Sequence, residues 1–120
     1  MVKTGWNEKI ETVNAQIEST SLGGYDGIGS HLTAYLYLKY DGGGQGFGGY
    51  VLGGEYAWRF ISRVLEVVGV ERWEQLKGKY VRVRQDMSKV HEIGNILEEK
   101  WFNPTKEFEK LKEMGEGGEK

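Results

Sequence analysis

Tyr80, Arg82 and Arg84 fall on alternate positions of one short run, so in an extended chain they share a face. A stacking ring beside two guanidinium forks is the chemistry that grips a flat, doubly anionic guest. Arg59, Arg63, Phe47, Trp73, Asn95 and His91 are the further candidates for such a ligand site. All five arginines lie between Arg59 and Arg84, and the stretch from Arg59 to Lys89 carries a local charge of +4 while the whole chain carries −2. That imbalance fits a small anionic partner. A DNA or RNA polymer would instead call for a chain that is basic throughout.

Catalytic and metal chemistry find less to work with. The chain has two histidines, His31 and His91, and no cysteine, which leaves no thiolate nucleophile, no disulfide and no usual metal-ligand spacing. His31-Leu32-Thr33 matches one half of a two-histidine phosphoesterase signature, but His91-Glu92-Ile93 fails at its third position. Gly44, Gly46 and Gly49 satisfy G-x-G-x-x-G, yet no helix follows directly and no βαβ unit surrounds them, so a dinucleotide fold is rejected. No metal and no cofactor is expected, and the chain reads as a binding protein and not as an enzyme.

The elements that would position these residues follow from periodicity. Thr12–Leu22 alternates with Val13, Ala15 and Ile17 on one side, which predicts a half-buried strand. His31–Tyr40 alternates again, with Leu32, Ala34, Leu36 and Leu38 inward; Tyr35 and Tyr37 then share the other face, where a helix or second subunit could cover them. Between Asp41 and Gly54, eight of fourteen residues are glycine. Two readings stand for this run: a hairpin with a bulged or kinked strand, or a backbone left bare for a ligand. Tyr50-Val51-Leu52 completes a third strand in this reading.

Glu55–Val68 changes to a helical period, with Tyr56, Phe60, Ile61, Val64, Leu65 and Val68 on one stripe and Gly69 placed as an αL cap. Glu55 precedes Arg59 by one turn in the favourable order for an ion pair, which makes Arg63 the freer arginine. A short helical turn at Val70–Leu76, a strand at Gly78–Gln85 and a long last strand at Val90–Phe102 follow, the last with His91, Ile93, Asn95 and Leu97 on one side. Asn103-Pro104 opens a final helix, Thr105–Met114. The expected fold is a single α+β domain over residues 1–120: an antiparallel sheet of about five strands, one long amphipathic helix packed on it and a short C-terminal helix. Residues 1–11 and 115–120 are expected to be flexible. No apolar run has the length of a membrane span and no signal peptide is visible, so a soluble, intracellular chain is expected.

An ordered string of motifs adds to this. Ile17-Glu18-Ser19-Thr20-Ser21-Leu22-Gly23, Leu32-Thr33-Ala34 and Gly44-Gln45-Gly46-Phe47-Gly48-Gly49-Tyr50 are followed by Leu65-Glu66-Val67-Val68-Gly69-Val70 and Trp73. Gly78-Lys79-Tyr80-Val81-Arg82-Val83, Val90-His91-Glu92-Ile93-Gly94-Asn95 and Trp101-Phe102-Asn103-Pro104 complete it. Together they resemble the phage family known as Thoeris anti-defence protein one, over about Ile17 to Pro104. The resemblance implies a sponge that sequesters cyclic ADP-ribose isomers, such as glyco-cyclic ADP-ribose made by TIR-domain defence proteins, without cleaving them. It also implies homodimers or higher homo-oligomers, a place in the host bacterial cytoplasm, and in some members cyclic oligonucleotides as further ligands. The Trp6-bearing amino terminus and the extra glycines at Gly23-Gly24 and Gly42-Gly43 depart from the family pattern. Two alternatives belong to other classes: an inhibitor that binds a host defence enzyme through the Tyr35–Tyr37 face, and a cyclic-nucleotide phosphodiesterase that uses His31.

Overall fold

The computed structural model describes residues 10–24, 31–50 and 52–118. Its elements run β1 (Glu11–Gly24), β2 (Leu32–Tyr40), β3 (Gly43–Gly48), α1 (Gly54–Val68), β4 (Tyr80–Gln85), β5 (Val90–Gly94), β6 (Trp101–Phe102) and α2 (Pro104–Gly118), with a 3-10 turn at Trp73–Gln75. The six strands form one sheet in the order β3-β2-β1-β4-β5-β6, and every named pairing is antiparallel. This is the α+β architecture expected, with one strand more.

The alternating pattern places the core as read. Ala15 and Ile17 of β1, Ala34, Leu36 and Leu38 of β2, and Val81 and Val83 of β4 are buried on one face. Helix α1 lies on that face through Ala57, Phe60, Val64 and Val67, and ends at Gly69 (φ 91°), whose N–H donates to Leu65 O. Each large side chain fully buried there stabilises the fold by about 1.5–3 kcal/mol.

The sheet curls around this helix. Phe47 on one edge strand and Phe102 on the other have ring centroids 6.0 Å apart, and Phe60 of α1 stands 5.7 Å and 5.5 Å from them. β3 accordingly packs against β5 across the inside of the curl. Register shifts between Ile17 and Ser19 in β1 and between Arg84 and Gln85 in β4 supply the bending that bulges give a sheet. Helix α2 starts as Asn103 Oδ1 accepts from the Lys106 N–H at 3.1 Å, and it docks Phe108 against Tyr50 and Tyr56.

Four expectations are corrected. The third strand is the glycine run itself, Gly43–Gly48, and Leu52 makes only an isolated bridge to Leu32; Val51 lies outside the described residues. Glycines 44, 46 and 48 alternate with Gln45 and Phe47, a period-2 pattern whose second face carries no side chains. The long strand Val90–Phe102 is two short ones, because the chain leaves the sheet at Asn95; Ile93 is buried while Leu97 is exposed, so they share no side. Glu11 already pairs with Gln85 in β1, inside the stretch expected to be flexible. Helix α2 continues to Gly118, past the Met114 end read from the sequence, since no proline interrupts it.

The bare glycine surface is filled by the chain's own rings. A Cβ at Gly44 would lie 2.6 Å from Tyr37 Oη, one at Gly46 would collide with the Tyr35 ring, and one at Gly94 would lie 2.6 Å from the Trp101 ring. Of the two readings of the run, the hairpin with a kinked strand is the one seen, and the space over its glycines is taken by the neighbouring strand's aromatic side chains. Gly48 is the most constrained position: φ is 102°, and a Cβ there meets both Ala34 O and the Phe60 ring. Gly48→Ala should cost about 1–3 kcal/mol in urea unfolding. Gly43→Ala should stay within about 0.5 kcal/mol, as the nearest atom to its Cβ is 4.0 Å away.

Candidate functional site

The face of the sheet turned away from α1 carries Tyr80, Arg82 and Arg84 of β4 in a row, as read from the sequence. Arg82 and Arg84 both lie over the Trp101 indole, their guanidinium carbons 4.7 Å and 3.9 Å from its ring centroid. The indole rests flat on Gly94, so β5 and β6 together hold a platform for two cations. Trp101 Nε1 donates to Glu99 Oε1 at 3.0 Å, and that bond, with the Arg82 contact, lowers the Glu99 pKa.

The two arginines differ in what they have left to offer. Arg82 donates from Nε to Asn95 O (2.8 Å), from Nη1 to Glu99 Oε2 (3.0 Å) and from Nη2 to Glu98 O (2.7 Å), so all three of its nitrogens are engaged by the β5–β6 loop. Arg84 makes one longer bond, Nη1 to Glu92 Oε2 at 3.3 Å, and its Nε and Nη2 have no partner among the described residues. Tyr80 is 57% exposed, the most open ring of the row. The Trp101 ring and the β5–β6 loop cover Arg82, while Tyr80 stays open. Tyr35 and Tyr37 lie farther along it on β2, opposite Ser21 and Ser19 of β1.

The other predicted ligands are elsewhere. Arg59 and Arg63 stand on α1, on the opposite side of the sheet. Arg63, read as the freer arginine, is the more committed: it donates to Glu107 (3.0 Å), Glu66 (2.7 Å) and Trp101 O (2.7 Å) and ties α1 to α2 and β6. Arg59 reaches Glu107 only at 3.9 Å and shows no bond to Glu55. Phe47 is a core residue, and Trp73 packs beside the core with its Nε1 buried and without a partner among the described residues. Asn95 builds the β5–β6 loop: its Nδ2 donates to Val67 O, and its Oδ1 accepts from the Leu97 and Glu98 N–H groups. His91 bonds Asp86 through Nε2 at 2.9 Å. His31 precedes β2 beside the Gly24 end of β1, whereas His91 follows the hairpin beside the Glu11 end. A two-histidine pair is therefore not formed within one chain.

A second feature escaped the sequence reading. A cleft of about 850 Å³ opens between the β2–β3 and β4–β5 turns, lined by Glu11, Tyr40, Gly42–Gly44, Gln45, Gln85 and Asp86–Ser88. Asp86 fastens its floor: Oδ1 accepts from the Ser88 hydroxyl, the Ser88 N–H and the Lys89 N–H, and Oδ2 faces His91. The Ser88 hydroxyl above all, then His91, holds this carboxyl well below the usual carboxylate range. No cluster of three metal-ligating side chains occurs among the described residues, and no helix among them is long and apolar enough to cross a membrane.

Comparison of the chain with protein-family models, with curated proteins and with solved structures gives no match.

Removing Arg63 strands the Glu107 carboxylate and Trp101 O, so Arg63→Met should lose about 2–3 kcal/mol of stability in chemical denaturation. Arg59→Met should lose less than about 1 kcal/mol. Asp86 gives a pH signature. Its folded pKa lies below the unfolded value of about 3.9, so its contribution is complete above that pH and is lost as pH falls toward the folded pKa. The melting-temperature gap between the parent chain and Asp86→Asn should be constant at neutral pH and narrow below about pH 4.

Proposed function

We propose that this protein is a non-catalytic binder that sequesters a cyclic nucleotide signal, glyco-cyclic ADP-ribose, and releases it intact. The observation that carries this reading is the outer row of Tyr80, Arg84 and the Arg-clamped Trp101, a partly open face with unused guanidinium donors. The ordered motifs that resemble the Thoeris anti-defence family point the same way. In that setting the protein acts as a phage anti-defence factor in the host bacterial cytoplasm, and cyclic oligonucleotides form a second ligand class.

Of the arginines, Arg84 is the phosphate contact, since all three Arg82 nitrogens are already engaged and Arg82 serves to hold Trp101 in place. Tyr80 offers a stacking face worth about 1–3 kcal/mol per base. A sponge for a scarce signal needs about −12 kcal/mol for nanomolar affinity. An open sheet face encloses too little of a ligand to supply that, so a second copy of the chain closes over it as a homodimer or higher homo-oligomer. The half-buried Tyr35 and Tyr37 rings on the same outer face carry a second reading, direct inhibition of a host defence enzyme. A pull-down that retains such an enzyme with no nucleotide present distinguishes the two.

Calorimetry with glyco-cyclic ADP-ribose should show tight binding, and heating the complex should return the unmodified ligand. Tyr80→Ala should weaken binding by roughly 1–3 kcal/mol and Arg84→Met by roughly 1.5–3 kcal/mol, with the melting temperature nearly unchanged. Absence of heat, or recovery of a cleaved ligand, overturns the proposal.

A further inference from the structure

We infer that the cleft between the two hairpin turns is a separate small-molecule site that reads the lactam edge of a planar heterocycle through Gln85 and Gln45. The cleft lies where the curled sheet fails to close. Gln45 of β3 reaches across the gap to the end of β4, and its Nε2 donates to Gln85 Oε1 (2.7 Å), to Tyr40 Oη (2.9 Å) and to Asp86 O (3.1 Å). Tyr40 Oη in turn donates to the same Gln85 oxygen at 2.7 Å. These bonds fix the orientation of both amides, since reversing Gln45 would set its oxygen against the Asp86 carbonyl.

Each amide then has one end left over. Gln85 is 9% exposed, the only buried polar side chain among the described residues, and its Nε2 has no protein partner there. Gln45 Oε1 accepts nothing from those residues either. Gln85 Nε2 is not cut off from solvent, so on this cleft-lining side chain it is a donor open to an acceptor from outside the chain. An N–H donor and a carbonyl acceptor contributed by two fixed amides complement a ring that presents a C=O next to an N–H. The remaining wall suits a flat guest. Gly42, Gly43 and Gly44 bring backbone without side chains to the cleft, and Met87 stands fully exposed at its lip as an adaptable apolar cover. A volume of about 850 Å³ lies within the span usual for small-ligand sites.

This inference is independent of the outer face, since none of Tyr80, Arg84 or Trp101 lines the cleft. The test is an NMR titration of the full chain with uracil as the probe. The expected result is saturable shifts of the Gln85 and Gln45 side-chain NH2 signals and of the Gly42–Gly44 amides. 1,3-Dimethyluracil, which keeps the ring and both carbonyls but carries methyl groups in place of the ring N–H hydrogens, should bind roughly tenfold or more weakly. Gln85→Met should abolish the shifts, whereas Arg84→Met should leave them unchanged. Silent Gln85 and Gln45 signals up to the solubility limit of uracil, or equal binding of the dimethylated ring, overturn the inference. The ligand-side comparison decides the matter even where Gln85→Met fails to fold. A failed uracil titration beside intact calorimetry with the cyclic nucleotide would remove this site alone.

Discussion

Two edges of one sheet meet over a single helix side chain, and most of the architecture follows from that contact. Phe47 from β3 and Phe102 from β6 close on Phe60 of α1, which forces six strands to wrap where they could have lain open. Bending of this kind needs slack in the backbone. The register breaks in β1 and β4 and the positive φ of Gly48 provide it. The wrap sorts the polar residues into two territories: an outer face of rings and arginines, and an unsealed seam at one end, where Gln45 bridges to Gln85.

The outer face shows how a cluster of arginines divides its labour. Arg82 engages all three nitrogens with the β5–β6 loop, so its charge acts as part of the scaffold and steadies Trp101. Arg84 stacks on the same indole with one weak partner and keeps donors in hand. Arg63 and Arg59, which the sequence spacing ranks in the opposite order, differ in the same way on the helix side. Spacing alone ranks the helix pair wrongly. The arginines' acceptors, Glu107, Trp101 O and Asn95 O, are distant in sequence and come close only through the curl.

What the sequence made legible was periodicity. Ala15, Ile17, Ala34, Leu36, Leu38, Val81 and Val83 announced the buried face, and the stripe from Tyr56 to Val68 announced its helix, although Ala57 and Val67, outside that stripe, join Phe60 and Val64 in the core. Gly69, Asn103 and Pro104 marked helix ends through backbone rules that act locally. The glycine strand was hidden because half of its alternation has no side chain, and the signal lay on β2, in Tyr35 and Tyr37 at matching spacing. The ligand candidates were only partly legible. Tyr80, Arg82 and Arg84 do share a face, but Phe47 and Asn95 serve the core and a loop, and the Gln45–Gln85 pair joins residues forty apart, beyond any local pattern.

Resting an aromatic ring on a glycine of the next strand ties distant positions together in evolution. Any mutation that gives Gly46 a side chain strikes Tyr35, and any that enlarges Gly94 strikes Trp101 and loosens the hold on both β4 cations. Drift in this chain is therefore expected to proceed by paired changes: the glycine gains bulk only in lineages whose opposing ring has already shrunk.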